Sequence, residues 1–218
     1  ILLMRKDFKG VITLGLSFLA TVGIGFLLLP GEAVEFWTSA VSDPSRVGNI
    51  NYLDNISIQG WLMHFGLTGV ALKALHYGLI LALMVGVALM VPILEKHKMT
   101  LSQIALNAFL MVSISPISWS HHNTWLPLLV AVLWIDAFPV FFSKASDGVR
   151  SAAQILAWIG GIGLYAGPMW IGSRLHGSND ELDYIAQSHL VVSTLPIIAM
   201  FITVCLWIGV GLKHRREI

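Results

Sequence analysis

Two adjacent imidazoles close the stretch Ser115-Pro116-Ile117-Ser118-Trp119-Ser120-His121-His122, which also holds three serines, a tryptophan and a helix-ending proline. If Ser118 or Ser120 caps a helix beginning here, both histidines fall in its first turn. Free backbone N–H groups and the positive end of the helix dipole there attract an anion such as a phosphate, to which an imidazole can donate a hydrogen bond. Neighbouring helical positions point about 100° apart, so the pair is poorly placed to chelate one metal ion. No H-x-x-x-H or H-E-x-x-H spacing supplies an alternative, so the pattern calls for no metal or other cofactor. One histidine faces a cavity while the other packs or caps, and the spacing does not say which. An ordinary interhelical connector is also polar as a rule, but it has little use for a Trp and two titratable rings side by side.

A second constellation precedes it, running from Arg46 through Asn49, Asn51, Tyr52, Asp54, Asn55, Ser57 and Gln59 to Trp61. Four amides, an Arg, an Asp and two aromatics within sixteen residues offer the donors and acceptors needed to read hydroxyl-dense ligands such as sugars or polar head groups. A solvated loop turning at Gly48 and Asn49 accounts for the same composition equally well. Asn55-Ile56-Ser57 also fits the N-glycosylation pattern, a short match that is frequent by chance. Lys73 meets a phosphate or, more commonly for such a residue, extends to the head groups.

The elements that must position these residues are membrane-spanning. The chain has 218 residues, 56% hydrophobic and 11% charged, with a mean hydropathy of +0.77; soluble domains carry about 25% charged residues. The composition predicts an all-α, polytopic transmembrane protein, because irregular backbone in lipid leaves polar groups unsatisfied. Six spans are expected, at about 10–30, 71–94, 101–117, 124–142, 151–172 and 189–212, with outer loops at about 31–70, 118–123 and 173–188. Residues 32–41 read as a short interfacial helix with Val34, Phe36 and Trp37 toward lipid. Gly163 and Gly167 give a GxxxG spacing suited to close helix packing. Asp136 falls near the cytoplasmic interface, and Cys205, the single cysteine, reads as a packing residue. The opening Ile1-Leu2-Leu3-Met4-Arg5-Lys6 reads as the tail of an earlier hydrophobic segment, so the whole chain is expected to be the C-terminal part of one larger transmembrane domain.

Basic residues divide unevenly between the two sides. Ten of the thirteen fall on one side of these spans, and Arg46, Lys73 and Arg174 on the other. The positive-inside rule places the ten, and both chain ends, in the cytoplasm and turns the histidine stretch outward. Six of the eight histidines (His64, His76, His121, His122, His176 and His189) lie at or near that outer face. A hydrogen-bonded interfacial side chain is the commoner role for a lone one among them. The formal charge of +1 gives no electrostatic support for a nucleic-acid partner.

The serine-tryptophan-histidine stretch, preceded one outer loop earlier by Asn55-Ile56-Ser57-Ile58-Gln59-Gly60, resembles the paired signatures of the actinobacterial family 87 polytopic glycosyltransferases. Ile56 and Ile58 stand where the first signature has Gln and Leu, and Asn123 follows the histidines where an aromatic is usual. The resemblance implies a GT-C fold with its active site on the outer face of the cell membrane. It implies a polyprenyl-phosphate sugar donor, most often mannose, entering from the membrane lipid, and a glycolipid or lipoglycan acceptor. A general-base aspartate is expected upstream of Ile1. Within this chain His121 and His122 are then the catalytic candidates, as partners of the leaving phosphate or the acceptor. Asn55, Ser57, Gln59, Trp119, Ser120, Arg46 and Lys73 are the substrate-binding candidates. A transporter or flippase of lipid-linked sugars is the competing expectation; it requires polar residues at mid-membrane depth, and the sequence shows few.

Overall fold

The computed structural model of the protein describes residues 1–43, 46, 48–176 and 187–216. It is helical throughout, without a strand among the described residues. The chain divides into two compact units, Ile1–Ile50 and Asn51–Ile218.

The first unit contains α1 (Phe8–Leu28) and α2 (Pro30–Thr38). Asp7 caps α1 by accepting a hydrogen bond from the Gly10 N–H at 2.9 Å. At 21 residues α1 is long enough to cross a bilayer core, and none of it is buried within the unit. Pro30 opens α2 at the one helical position where its missing N–H costs nothing. The short helix expected at 32–41 is present, with its bounds at Pro30–Thr38. Trp37 meets Phe18 of α1 edge-on at 5.9 Å.

The second unit contains α3 (Ile58–His64), α4 (Gly69–Lys96), α5 (Thr100–Ile114), α6 (Leu126–Val132), α7 (Asp147–Ala166), α8 (Pro168–His176) and α9 (Gln187–Lys213). The helical run that includes α6 begins with a 3-10 turn at Ser120–Trp125 and continues through a π-helical segment, Leu133–Phe141. Just over half of the apolar window of α9 is buried (56%) against 28% for α4, so α9 forms the centre of the unit. Trp207, Met200, Val204 and Thr203 of α9 have no exposed surface. Small residues let α7 approach it closely. A Cβ on Gly160 would lie 2.9 Å from the Met200 backbone nitrogen, and one on Gly163 would overlap the Pro196 ring.

Of the six expected spans, four appear as single helical runs that are long and apolar enough to cross a membrane: Phe8–Leu28, Gly69–Lys96, Ser120–Lys144 and Ser188–Lys213. The fifth expected span is broken. α7 and α8 meet at an 80° bend, where Gly167 takes φ +88° and Pro168 starts the new helix. Gly167 thus turns the chain, and only Gly163 of the GxxxG pair packs against a neighbouring helix. The third stops short, because α5 ends at Ile114, where Ser115 adopts the extended backbone that the following Pro116 imposes. Its 15 residues reach only about 22 Å. Most of the expected outer loop 173–188 lies outside the described residues.

Asp136 is half-buried and accepts a hydrogen bond from Ser102 of α5. One further expectation is revised. Cys205 is exposed on α9, away from the packed face.

Candidate functional site

The site is a hairpin-like clasp in the second unit, where the segment before α3 grips the stretch between α5 and α6. Asn55 is its centre. Its Nδ2 donates to the Pro116 carbonyl at 3.1 Å, while its Oδ1 accepts from the N–H groups of Ser118 (3.0 Å) and Ser57 (3.1 Å). The Ile56 N–H donates to the Ser118 carbonyl at 2.8 Å, and the Ser57 hydroxyl donates to the Pro116 carbonyl at 3.3 Å. Ser57 is also the N-cap of α3, its Oγ accepting from the Gly60 N–H. A Cβ on Gly60 would collide with the Asn55 carbonyl oxygen at 2.4 Å, so only glycine lets α3 start this close to the clasp. Asn55 is 1% exposed and Ser57 fully buried.

Asp54 adds the next contact. Its Oδ2 accepts from both the N–H (2.9 Å) and the hydroxyl (2.8 Å) of Ser120, the residue that opens the 3-10 turn. Its Oδ1 is buried and has no hydrogen-bond partner among the described residues.

The clasp fixes His122. The Trp119 N–H donates to His122 Nδ1 at 3.0 Å, and the His122 N–H returns a bond to the Trp119 carbonyl at 2.8 Å. With Nδ1 occupied as an acceptor, the neutral ring carries its proton on Nε2 and presents a donor there. His121 stacks edge-on between its neighbours, 4.3 Å from the His122 ring and 5.5 Å from Trp119. The expected placement in the first turn of a regular α-helix becomes a 3-10 turn one residue-run earlier, with Trp119 rather than a serine at the cap position.

Both histidines line an open cleft of about 300 Å³. Its lining mixes polar groups, from Ser115, Ser118, Thr124 and the two imidazoles, with apolar ones from Met111, Ile117 and Trp125. Such a mixture suits an amphiphile that carries an anionic group and an apolar part. On its far side His122 borders a crevice of about 20 Å³ between α5, α6 and α9, room for about one water and no chain.

Behind the clasp, His64 ties α3 to α9. Its Nε2 lies 3.1 Å from the Tyr52 carbonyl, which only accepts, so Nε2 carries the proton. Its Nδ1 faces the Thr194 hydroxyl at 2.7 Å, whose single proton is shared with the Leu190 carbonyl. Burial pushes the His64 pKa below its ordinary value, and the Tyr52 carbonyl opposes this more weakly.

The structure therefore brings Asn55, Ser57, Trp119, Ser120, His121 and His122 together in one assembly. Gln59 is half-buried on α3, and Lys73 lies exposed near the start of α4. Arg46 is an exposed residue of the first unit. The sequence reading left Asp54, Met111, Thr124 and Trp125 out of the site. Adjacency to the Asn55 signature was available as a signal for Asp54; for Met111, two turns back along α5, there was none.

The chain is 29% identical over 210 residues, 91% of its length and 43% of the relative's, to a Mycobacterium tuberculosis protein named polyprenol-phosphate-mannose-dependent alpha-(1-2)-phosphatidylinositol pentamannoside mannosyltransferase. A Mycolicibacterium smegmatis protein of the same name is 27% identical over 146 residues, covering 65% of this chain and 32% of the relative. A second M. tuberculosis relative, the corresponding phosphatidylinositol mannoside mannosyltransferase, is 31% identical over 134 residues, covering 61% of this chain and 31% of the relative. The chain thus spans between about a third and two fifths of the length of these relatives. No solved structure matches it. The model of glycosyltransferase family 87 matches residues 1–116, more than half of the chain and including the whole Asn55–Gly60 signature. The chain belongs to glycosyltransferase family 87.

Proposed function

We propose that the protein is a multi-pass membrane mannosyltransferase that moves mannose from a polyprenyl-phosphate donor to a phosphatidylinositol-mannoside acceptor on the outer face of the membrane. The names of the relatives support the donor and acceptor classes. The observation that carries the chemical part is the backbone bond from Trp119 to His122 Nδ1, which leaves Nε2–H as the free donor of a ring that lines a cleft of mixed polar and apolar surface.

A polyprenyl phosphate leaves with its bonding electrons on a phosphate oxygen. Its departure is favoured by donors that strengthen as that charge develops, and a strong acid is not needed. His122 Nε2–H is such a donor, and the Thr124 hydroxyl lines the same cleft. Met111 and Trp125 would carry the first part of the prenyl chain. Gln59 and Lys73 are assigned to substrate binding at the margins of the site, and Arg46 in the loop after α2.

The test is turnover of polyprenyl-phosphate mannose by the intact membrane protein, per folded molecule, for His122→Ala and His121→Ala separately. Loss of one donor to the developing anion lowers turnover by about 10²- to 10³-fold, and the larger loss is expected at His122 with a smaller change in donor affinity. Normal rates in both variants would remove the catalytic reading of this turn.

A further inference from the structure

We infer that Asp54 is a positioning residue of the site: through Ser120 it sets the orientation of His122 and keeps the Nε2–H of that ring directed at the departing phosphate. This rests on the mannosyltransferase reading above and adds a residue to it.

A carboxylate is seldom buried without a cation, because desolvation costs several kcal/mol. Asp54 is only 7% exposed, and no Lys or Arg among the described residues is paired with it. What it has instead is Ser120, whose backbone N–H and hydroxyl both donate to Oδ2. Those two bonds define the start of the 3-10 turn, and His122 sits two residues further along, locked to Trp119 within that turn. A shift at Ser120 therefore rotates the imidazole. Oδ1, buried and unpartnered, leaves the charge only partly neutralised by hydrogen bonds. Donation from Nε2–H to the departing oxygen leaves no positive charge on the ring, so Asp54 acts by fixing the direction in which that N–H points. The arrangement has the logic of an acid that orients a catalytic imidazole without touching the substrate.

The segment that holds Asp54 makes this positioning rigid. Asn55, the next residue, is bonded to Pro116, Ser118 and Ser57, so the segment that carries the carboxylate is fixed to the stretch leading into the turn.

The experiment is steady-state kinetics of the intact protein in membranes, with each rate divided by the amount of folded enzyme, for Asp54→Ala, Asp54→Asn, Ser120→Ala and the double variants Asp54→Ala/Ser120→Ala and Asp54→Ala/His122→Ala. Misplacement of a catalytic group by about 1 Å costs on the order of 10²-fold. Asp54→Ala is therefore expected to lower kcat by about that factor, with the donor KM within about threefold of wild type. Asp54→Asn, which keeps an acceptor for Ser120 but loses the charge, should fall between Ala and wild type. The loss in Asp54→Ala should not multiply with that in Ser120→Ala, nor with that in His122→Ala where the rate of that variant is measurable. A general structural role would instead lower the folded fraction and leave kcat per folded molecule unchanged; that result overturns the inference, as does full multiplication in the Asp54/Ser120 pair. The two proposals fail differently. If His122→Ala turns over normally, the mannosyltransferase chemistry assigned to this turn is wrong; if His122→Ala is impaired while Asp54→Ala is not, only the role of Asp54 is.

Discussion

His64 shows how a single side chain couples the clasp to the rest of its unit. It is 1% exposed and held between Tyr52 and Thr194, a neutral ring in a place where a charged one would be poorly solvated. Because its folded-state pKa is depressed, the unfolded chain binds a proton first as the pH falls. Its contribution is complete above about pH 6.5 and is lost as the pH drops through that value toward the folded pKa. Thermal unfolding in detergent should therefore begin at lower temperature at about pH 5 than at about pH 7, and His64→Asn should flatten that dependence. An unchanged slope in the variant would assign the acid sensitivity to other groups. At this scale the sequence was informative about type and poor about role. The Asn55 signature and the paired histidines stood out as chemistry-bearing residues, but nothing in the spacing showed that Asn55 and Ser57 would be buried with their polar groups engaged by Pro116 and Ser118. Such long-range pairings come from tertiary packing, which local patterns do not encode.

Helices α7 and α9 depend on the absence of side chains where they touch. The Cβ added in Gly163→Ala would enter the rigid Pro196 ring, a neighbour that cannot rotate aside. Overpacking of this kind costs about 1–3 kcal/mol, so Gly163→Ala should lower the unfolding temperature of the detergent-solubilised protein. Gly161→Ala, whose added carbon meets only a Val130 methyl at 3.3 Å, should be far milder. Equal stability of the two variants would show that the α7–α9 contact is looser than described. Hydropathy located nearly every helix, since burial in lipid leaves a long apolar run whatever the neighbours are. It missed the interruptions. Gly167-Pro168 lies in an apolar run and breaks it through backbone geometry, and Pro116 ends α5 by restricting Ser115. Averaging hydrophobicity over a window erases both signals, although each proline was visible in the sequence.

Across the whole chain, ten basic residues against three set the expected topology. With Cys205, the exposed native thiol, replaced by Ser, a cysteine at Ser120 or Thr124 should react with a membrane-impermeant thiol reagent in intact cells, and one at Ser146 should not. Labelling at Ser146 alone would invert the arrangement. The all-helical membrane class was legible from composition, because so few charged residues cannot cover a water-soluble surface. The division into two units was not, since no linker of distinctive composition marks Ile50.

The clasp joins residues 54–57 to 116–120, and His64 joins α3 to a residue 130 positions later in the chain. During synthesis the early strand of this assembly must wait, exposed, while α4 and α5 are inserted, and it gains its Thr194 partner only when the last helix enters the membrane. Loop closure over such separations is slow compared with helix formation. The His64–Thr194 tie therefore matures last, and a ribosome-bound intermediate lacking α9 would hold the clasp and its cleft before they are anchored to the final helix.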